Sequence, residues 1–171
     1  MLFRSDSAGD ETLALSSTNG ATDVLTVNQT LTTVGGAVTL NAKDDVVFGA
    51  SGAIASTSGN VSVTADSDTS GGGTGGSIIM ASASTINAGS GTITLLADEN
   101  VVLHGLTTTN ATGSAVAVTS TNGSITEAGG ATEITANSVG AVTTLTAKGS
   151  IGDAHADPLL DATDPLETAV S

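Results

Sequence analysis

The sequence VTLNAKDDVVFG at residues 38–49 recurs as ITLLADENVVLH at residues 93–104, and this recurrence indicates the fold. The two stretches align without a gap, because their starting residues are 55 positions apart (93 − 38) and the aliphatic residues that follow keep the same spacing. Each begins with alternating apolar and polar residues, as a half-buried β-strand does, and continues into a short apolar run. Such self-similarity predicts a repeat architecture.

A third copy lies between these two. Residues 61–65, VSVTA, repeat the first alternation, and residues 78–80, IIM, repeat the short apolar run. The distance between these two strands exceeds that in the first copy by 9 residues (16 − 7). We attribute the surplus to an insertion at residues 67–76, SDTSGGGTGG, between two strands of one repeat.

The first strand of a repeat starts at equivalent positions throughout the chain, namely Leu13, Val38, Val61, Ile93, Val116 and Thr143. The steps between these starts are 25, 23, 32, 23 and 27 residues, and the longest step becomes 23 without the insertion. A weaker third strand is expected around Ile54, Ile86 and Ile134. The period predicts an all-β fold, a single-stranded parallel β-helix (β-solenoid) of about six coils of roughly 23 residues.

The same period suggests the domain organisation. We expect residues 13–152 to form the β-solenoid, interrupted by the insertion at 67–76. Residues 1–12 are expected to be an N-terminal extension or cap, and residues 153–171 an acidic C-terminal tail or the start of a further coil. Stacked coils place equivalent strands about 4.8 Å apart, so inward aliphatic side chains should form continuous columns.

Composition excludes several classes of function. The formal net charge is −14, and the fixed cations are Arg4, Lys43 and Lys148. Nucleic-acid binding needs clustered basic side chains and, for single strands, aromatic platforms, whereas this chain has no Trp and no Tyr. An anionic membrane surface is disfavoured on the same electrostatic ground, and no apolar run reaches the length of a membrane span. Without Cys there is no disulfide and no thiolate metal site.

The insertion contains Gly71-x-Gly73-x-x-Gly76, which matches the dinucleotide-binding fingerprint as a pattern. In a true dinucleotide site the first glycine directly follows a strand and a helix opens at the end of the loop. Here polar residues precede the glycines, and the following segment is too rich in Ser and β-branched residues for a helix. We therefore interpret these glycines as a loop and expect no bound cofactor.

One column of charged residues is a candidate cation site. The position after the first-strand Ala holds Lys43, Asp66 and Asp98 in three consecutive coils. Lys43 is expected to face Asp66, whereas Asp66 and Asp98 would repel unless they are hydrated or bridged by a cation. Hard oxygen ligands suit Ca²⁺, so this pair, or the acidic tail, is the place where weak calcium binding is expected.

Other features carry less chemistry. The carboxylate pairs at residues 44–45 and 98–99 fall at expected corners, and no catalytic constellation emerges, so we expect no enzyme activity. His104 aligns with Gly49 and is expected at a solvent-facing corner. Outward positions of the first strand form a partly regular hydroxyl row, namely Thr39, Ser62, Thr94, Ala117 and Thr144. Flat threonine arrays bind ice in some solenoids, although the irregular period counts against a flat face here.

Residues 91–130 have the sequence GTITLLADENVVLHGLTTTNATGSAVAVTSTNGSITEAGG. This sequence resembles the central repeats of filamentous-haemagglutinin-like adhesins, which are large secreted bacterial exoproteins. The resemblance extends from about residue 13 to residue 170. It implies a right-handed parallel β-helix, export, and an extracellular or cell-surface location. The secretion domain of that family, with its Asn-Pro motifs, does not occur in this sequence.

Two classes of function follow from these observations. The first is a non-catalytic structural rod of an extracellular or cell-surface adhesin or fibre. Its partners would be further copies added end to end, or the remainder of a longer repeat protein. The second is a binding module for a host or surface glycan, a cation or ice, which would use the Gly71–Gly76 loop or the Thr-rich face. Neither class involves nucleic acid or membrane insertion.

Overall fold

The computed structural model describes residues 12–17, 23–66, 75–129 and 132–152, together with the backbone of Thr168–Val170. Within these residues the chain forms β-strands and turns and has no helix. Most of the expected N-terminal extension, of the glycine-rich insertion and of the acidic tail lies outside the described residues. The all-β prediction is confirmed.

The strands fall into successive coils along the chain. Coil 1 contains β1 (Leu13–Ser16), β2 (Leu25–Val27) and β3 (Thr30–Thr33). Coil 2 contains β4 (Val38–Asn41), β5 (Val46–Phe48) and β6 (Ala53–Ser56). Coil 3 contains β7 (Val61–Thr64), β8 (Ile78–Met80) and β9 (Thr85–Asn87). Coil 4 contains β10 (Ile93–Ala97), β11 (Val101–Leu103) and β12 (Leu106–Thr108). Coil 5 contains β13 (Val116–Ser120), β14 (Ile125–Glu127) and β15 (Ile134–Ala136). Coil 6 contains β16 (Thr143–Ala147), a single bridge from Ile151 to Ile125, and β17 (Thr168–Val170).

Equivalent strands of successive coils pair in parallel and form three sheets. The first sheet has the order β1-β4-β7-β10-β13-β16, the second β14-β11-β8-β5-β2, and the third β17-β15-β12-β9-β6-β3. In the first sheet the paired residues are the predicted repeat starts, from Leu13 opposite Val38 to Val116 opposite Thr143. The predicted parallel β-solenoid is therefore confirmed, with five complete coils followed by the strands of a sixth.

The core consists of aliphatic columns that run along the stack. In the first sheet one column carries Val38, Val61, Ile93 and Val116, and the next carries Leu40, Val63, Leu95 and Val118, all of them buried. Among the described residues, Phe48 is the only aromatic side chain in this core, and it pairs in register with Met80. Because neighbouring coils are only about 4.8 Å apart, the inward side chains of successive coils pack directly on one another.

Buried hydroxyl groups stabilise the turns between sheets. The Thr33 hydroxyl donates to the carbonyl of Gly36 at 3.0 Å, and the Ser56 hydroxyl accepts the N–H of Gly59 at 2.8 Å. The Thr108 hydroxyl donates to the carbonyl of Gly91 at 2.6 Å, which links two coils. These bonds satisfy backbone groups that would otherwise be buried without a partner as the chain changes direction.

A second set of polar side chains joins the coils along one corner. The residue before the second-sheet strand accepts, through its side chain, the backbone N–H of the equivalent residue in the next coil. The distances are 2.8 Å from Ser77 N to Asp45 Oδ1, 3.4 Å from Asn100 N to Ser77 Oγ, 3.0 Å from Ser124 N to Asn100 Oδ1, and 3.0 Å from Ser150 N to Ser124 Oγ. We call these five residues the corner ladder. All four bonds run the same way, so the stack has a direction.

Two features differ from the sequence-based expectation. The third strand was expected around Ile54, Ile86 and Ile134, and the structure adds β3 and β12, whose single aliphatic residues lie among threonines and give little alternation. His104 does lie at a corner, but its side chain is buried, with 7% of its surface exposed, and its Nδ1 lies 2.8 Å from the Ser84 carbonyl. Only two residues separate β11 from β12, whereas four separate β8 from β9. This shorter corner carries the imidazole against the preceding coil.

Candidate functional site

The most acidic described part of the molecule surrounds the point where the insertion returns to the solenoid. Asp44 is buried, and its Oδ1 accepts the N–H of Gly76 at 3.2 Å. Asp45 Oδ1 accepts the N–H of Ser77 at 2.8 Å. Two neighbouring carboxylates of coil 2 thus bind the backbone of the returning chain in coil 3. Hydrogen bonds from backbone N–H groups satisfy carboxylates, so Asp44 and Asp45 anchor this end of the insertion.

Asp66 and Asp98, the predicted cation ligands, lie on either side of Gly76. A Cβ atom built on Gly76 would lie 2.6 Å from the Asp66 Cβ and 3.2 Å from the Asp98 Cβ. Gly76 has a φ of +89°, and Asp66 has a φ of +56°, which is uncommon for a residue with a side chain. The structure therefore brings both aspartates to one glycine. Together with Asp44 and Asp45 they form what we call the acidic corner.

Asp98 has a polar partner in the next coil. The Asn122 Nδ2 donates to Asp98 Oδ1 at 2.8 Å, and Lys148 Nζ donates to Asn122 Oδ1 at 3.0 Å. Three consecutive coils are thus linked by an Asp–Asn–Lys chain on the exposed surface. Lys43 precedes Asp66 by one coil, and its backbone N–H donates to the Ser17 hydroxyl at 3.1 Å. The amide of Asn122, which is not part of the predicted column of charged residues, separates the carboxylate from the lysine.

The donor set for a metal ion is small in this part of the chain. Among the described residues, no three His, Asp or Glu side chains come together in a group that could hold a metal ion. Calcium in proteins takes six to eight oxygen ligands, so Asp66 and Asp98 would need backbone carbonyls or water to complete a site. Cation binding by this pair stays a prediction.

The hydroxyl row on the first sheet is in the register that the sequence predicts. Thr39 pairs with Ser62, Ser62 with Thr94, Thr94 with Ala117, and Ala117 with Thr144, so these side chains form one outward column. The adjacent outward column is less uniform, because Leu96 stands between Thr64 and Thr119 and is 41% exposed. The face is therefore a mixed polar and apolar surface.

The two ends of the stack differ from its middle. In the first sheet the inward residues of the outer coils, Leu13 and Leu15 in coil 1 and Leu145 and Ala147 in coil 6, are only partly buried, and so is Leu25 in the second sheet. Their equivalents in coils 2 to 5 are fully buried, and Val27 and Leu31 in coil 1 are buried as well. The columns of the first sheet thus end in a half-covered side chain at both faces of the solenoid.

Sequence reasoning missed the corner ladder and the anchoring role of Asp44 and Asp45. The signal for the ladder was present, because an Asp, Asn or Ser directly precedes the second-sheet segment in each of coils 2 to 6. Aligning the repeats on that run, rather than on the first strand, reveals the column. The anchoring role had no such signal, because it depends on where a loop of 10 inserted residues returns to the stack.

Comparison with known proteins gives no relative for this chain. No protein-family model matches it, and no curated protein and no solved structure matches it either. In the part of the chain that the structure describes, there is no helix long and apolar enough to cross a membrane.

Proposed function

We propose that this chain is a non-catalytic structural rod, a segment of an extracellular or cell-surface adhesin or fibre. The observation that carries the proposal is the continuity of the stack. Three parallel sheets and their aliphatic columns run through coils 1 to 5, and the corner ladder adds a side-chain bond at each step from coil 2 to coil 6. A stack of this kind is a stiff spacer whose length is proportional to the number of coils.

The surface chemistry supports a role in bulk solvent rather than in a reaction. The outward residues of the first sheet are mainly Thr, Ser, Asn and Ala, and the chain carries a formal net charge of −14. Such a surface favours solubility and repels other acidic molecules.

The resemblance to filamentous-haemagglutinin-like repeats supports export and a position outside the cell. Antibody labelling of intact, unpermeabilised source cells and of their culture medium tests this location, and exclusive labelling of the cytoplasm would overturn it.

The length of the rod should follow the coil number, and this can be measured. Residues 93–115 form one complete coil of the regular 23-residue length, because Ile93 pairs with Val116 in the next coil. Inserting four additional copies of this segment after residue 115 should lengthen the particle by about 19 Å, at about 4.8 Å a coil. Small-angle scattering measures the increase in maximum dimension. The control inserts the same residues in scrambled order, which should disrupt the stack. Equal dimensions for the two insertions would contradict a modular rod.

The competing function is a ligand-binding solenoid, and the in-register hydroxyl column is the observation that favours it. Thr39 and Thr94 lie in this column and face outward. If the chain is only a spacer, replacing both residues with Arg should change neither its folding nor its signal on a glycan array or on ice. Loss of a binding signal that the wild-type chain shows would favour the binding module.

The calcium variant of that alternative has its own test. If Asp66 and Asp98 hold a cation, millimolar Ca²⁺ should raise the melting temperature of the wild-type chain but not that of the Asp66→Asn, Asp98→Asn double variant. Glu99→Gln is the matched control, since it removes one charge next to Asp98 in sequence. An equal response to Ca²⁺ in all three proteins would exclude a specific site at this pair.

A further inference from the structure

Among the described residues, no further strand pairs with the outer strands at the two ends of the stack. In the first sheet the outer strands are β1 and β16, and in the third sheet they are β3 and β17. An outer strand presents backbone N–H and C=O groups that can pair with another strand. In the first sheet the two outer strands are equivalent, because each strand of this sheet keeps the register of the one before it.

The backbone direction at the two ends is complementary. The N–H groups of Leu13 and Ser17 donate to the carbonyls of Ala37 and Asn41, so these two residues face coil 2. Since alternate residues of a parallel strand bond to opposite sides, the N–H and C=O of Ala14 face out of the first end.

The opposite end follows the same alternation. The carbonyl of Val142 accepts the N–H of Val116, so Val142 faces coil 5. The next residue, Thr143, and Leu145 two positions later therefore direct their backbone groups out of the last end. Within the stack, the backbone groups of residues equivalent to Thr143 bond to those of residues equivalent to Ala14 and its neighbours in the next coil. The N–H and C=O groups that face out of the last end can therefore pair with the N–H and C=O groups that face out of the first end.

The side chains at the ends are also incompletely covered. Leu15 and Leu145 are the two ends of one aliphatic column and are partly buried, whereas the four residues between them are fully buried. The Thr143 Oγ1 is a buried atom that has no hydrogen-bond partner. A further coil placed on either end would complete the burial of this column.

The corner ladder adds a directional contact. Each of its side chains accepts the N–H of the equivalent residue in the next coil, and Ser150 is its last member. In coil 1 the equivalent position is Val24, which precedes β2 as Asp45 precedes β5 and is 47% exposed. A Ser150 hydroxyl that approaches the N–H of Val24 would extend the ladder across a junction.

We propose that a second copy of this chain adds head to tail, with β16 of one copy pairing in parallel with β1 of the next. Thr143 then lies opposite Leu13, and Leu145 lies opposite Leu15. A second copy is the occupant that the structure favours, because the junction would continue the contact between coils that already repeats through the stack. The inference rests on the proposed rod function and gives it a mode of growth. Each copy contributes six strands to the first sheet, or about 29 Å of filament.

Charge sets the conditions for this addition. Every copy carries a formal net charge of −14, so two copies repel each other at low ionic strength. Salt screens this repulsion, with a Debye length of about 30 Å at 0.01 M and about 3 Å at 1 M. Assembly should therefore increase with NaCl concentration, which is opposite to the behaviour of an association driven by ion pairs.

The experiment combines sedimentation velocity and negative-stain electron microscopy on the full chain, from micromolar to millimolar protein at low and high NaCl. Ala14→Pro removes an outward N–H that the stack does not use, and a proline is tolerated in an edge strand at such a position. Ala14→Thr keeps the N–H and is the matched control. The wild-type chain and Ala14→Thr should form single-width filaments at high salt, and Ala14→Pro should not.

A mixing experiment keeps the test decisive if Ala14→Pro lowers stability. Because this variant retains the β16 end, it should add to the β1 end of a filament and stop growth there, so a tenth of the variant in a mixture should shorten wild-type filaments several-fold. Circular dichroism and thermal melting report whether the variant is folded, and Thr143→Pro blocks the other end independently.

A wild-type chain that stays monomeric under all conditions overturns the inference. So do filaments that neither proline variant shortens or prevents. Growth of the particle with added coils would still hold in either case, so the rod proposal is judged separately.

Discussion

Substitution of Leu95 by Ala probes the aliphatic column that the whole solenoid depends on. Leu95 lies in coil 4 between Val63 and Val118 and has 0% of its surface exposed. The change removes three carbon atoms, which costs about 2.4 kcal/mol at about 0.8 kcal/mol each in transfer free energy. The cavity adds to this cost, because the coils on both sides are held by sheet hydrogen bonds and relax only partly. We expect the free energy of unfolding to fall by about 3–5 kcal/mol.

The matched control is the same substitution at the end of the same column. Leu145 is in register with Val118 but is only partly buried. Leu145→Ala should therefore cost about 1–2 kcal/mol at protein concentrations where the chain is monomeric. For a chain of this length a loss of 3 kcal/mol lowers the melting temperature by about 6–12 °C. Thermal melts followed by far-ultraviolet circular dichroism give both values.

The comparison can refute the reasoning in two ways. A loss below about 0.5 kcal/mol for Leu95→Ala would place this residue on the surface and contradict the column. Equal losses for Leu95→Ala and Leu145→Ala in the monomer would show that the column does not end at coil 6. Repeating the melts at high protein concentration and high salt adds information, because a head-to-tail junction would bury Leu145 and raise the cost of its truncation.

Two further predictions test the acidic corner and the corner ladder. Gly76→Ala should lower the free energy of unfolding by about 1–3 kcal/mol, because φ is +89° there and the new Cβ would lie 2.6 Å from the Asp66 Cβ. The control is Gly113→Ala, whose new Cβ would meet no atom within 4 Å, so the free energy of unfolding should change by less than about 0.5 kcal/mol. Equal melting temperatures for the two variants would contradict the assigned contact. Asn100→Ala should lower the free energy of unfolding by about 1 kcal/mol, because the N–H of Ser124 loses its acceptor. Asn100→Ser should lose less, because Ser77 and Ser124 serve the same role in their own coils. Chemical denaturation measures both variants, and identical curves for Ala and Ser would show that the ladder bond contributes nothing.

Much of the fold was readable from the sequence because the first strand has a strong signal. Aliphatic residues occupy nearly every inward position at the six starts, with mostly small or polar residues between them, and the register of the first sheet follows from them. The third sheet was less readable, since Leu31 in β3 and Leu106 in β12 are single aliphatic residues among threonines. One apolar residue gives no period, and only the register with neighbouring coils identifies such strands.

The candidate site was less predictable than the fold. The repeat placed Asp66 and Asp98 in adjacent coils, and the structure brings both to Gly76. The partner of Asp98 is Asn122, which lies in a turn and not on the aligned strand, so strand alignment did not reveal it. The burial of His104 depends on a corner of two residues, and corner length affects side-chain orientation in a way that the repeat pattern does not encode.

The perpendicular orientation of the strands to the stacking axis has a mechanical consequence. A force that pulls the two ends of the chain apart along that axis breaks the hydrogen bonds between one pair of coils before those of the next pair. It does not shear a whole sheet at once. Each rupture would release one coil of 23 to 32 residues, or about 80–110 Å of extended chain. Under tension the solenoid would therefore lengthen in discrete steps of one coil, and each step would limit the force that the remaining coils bear.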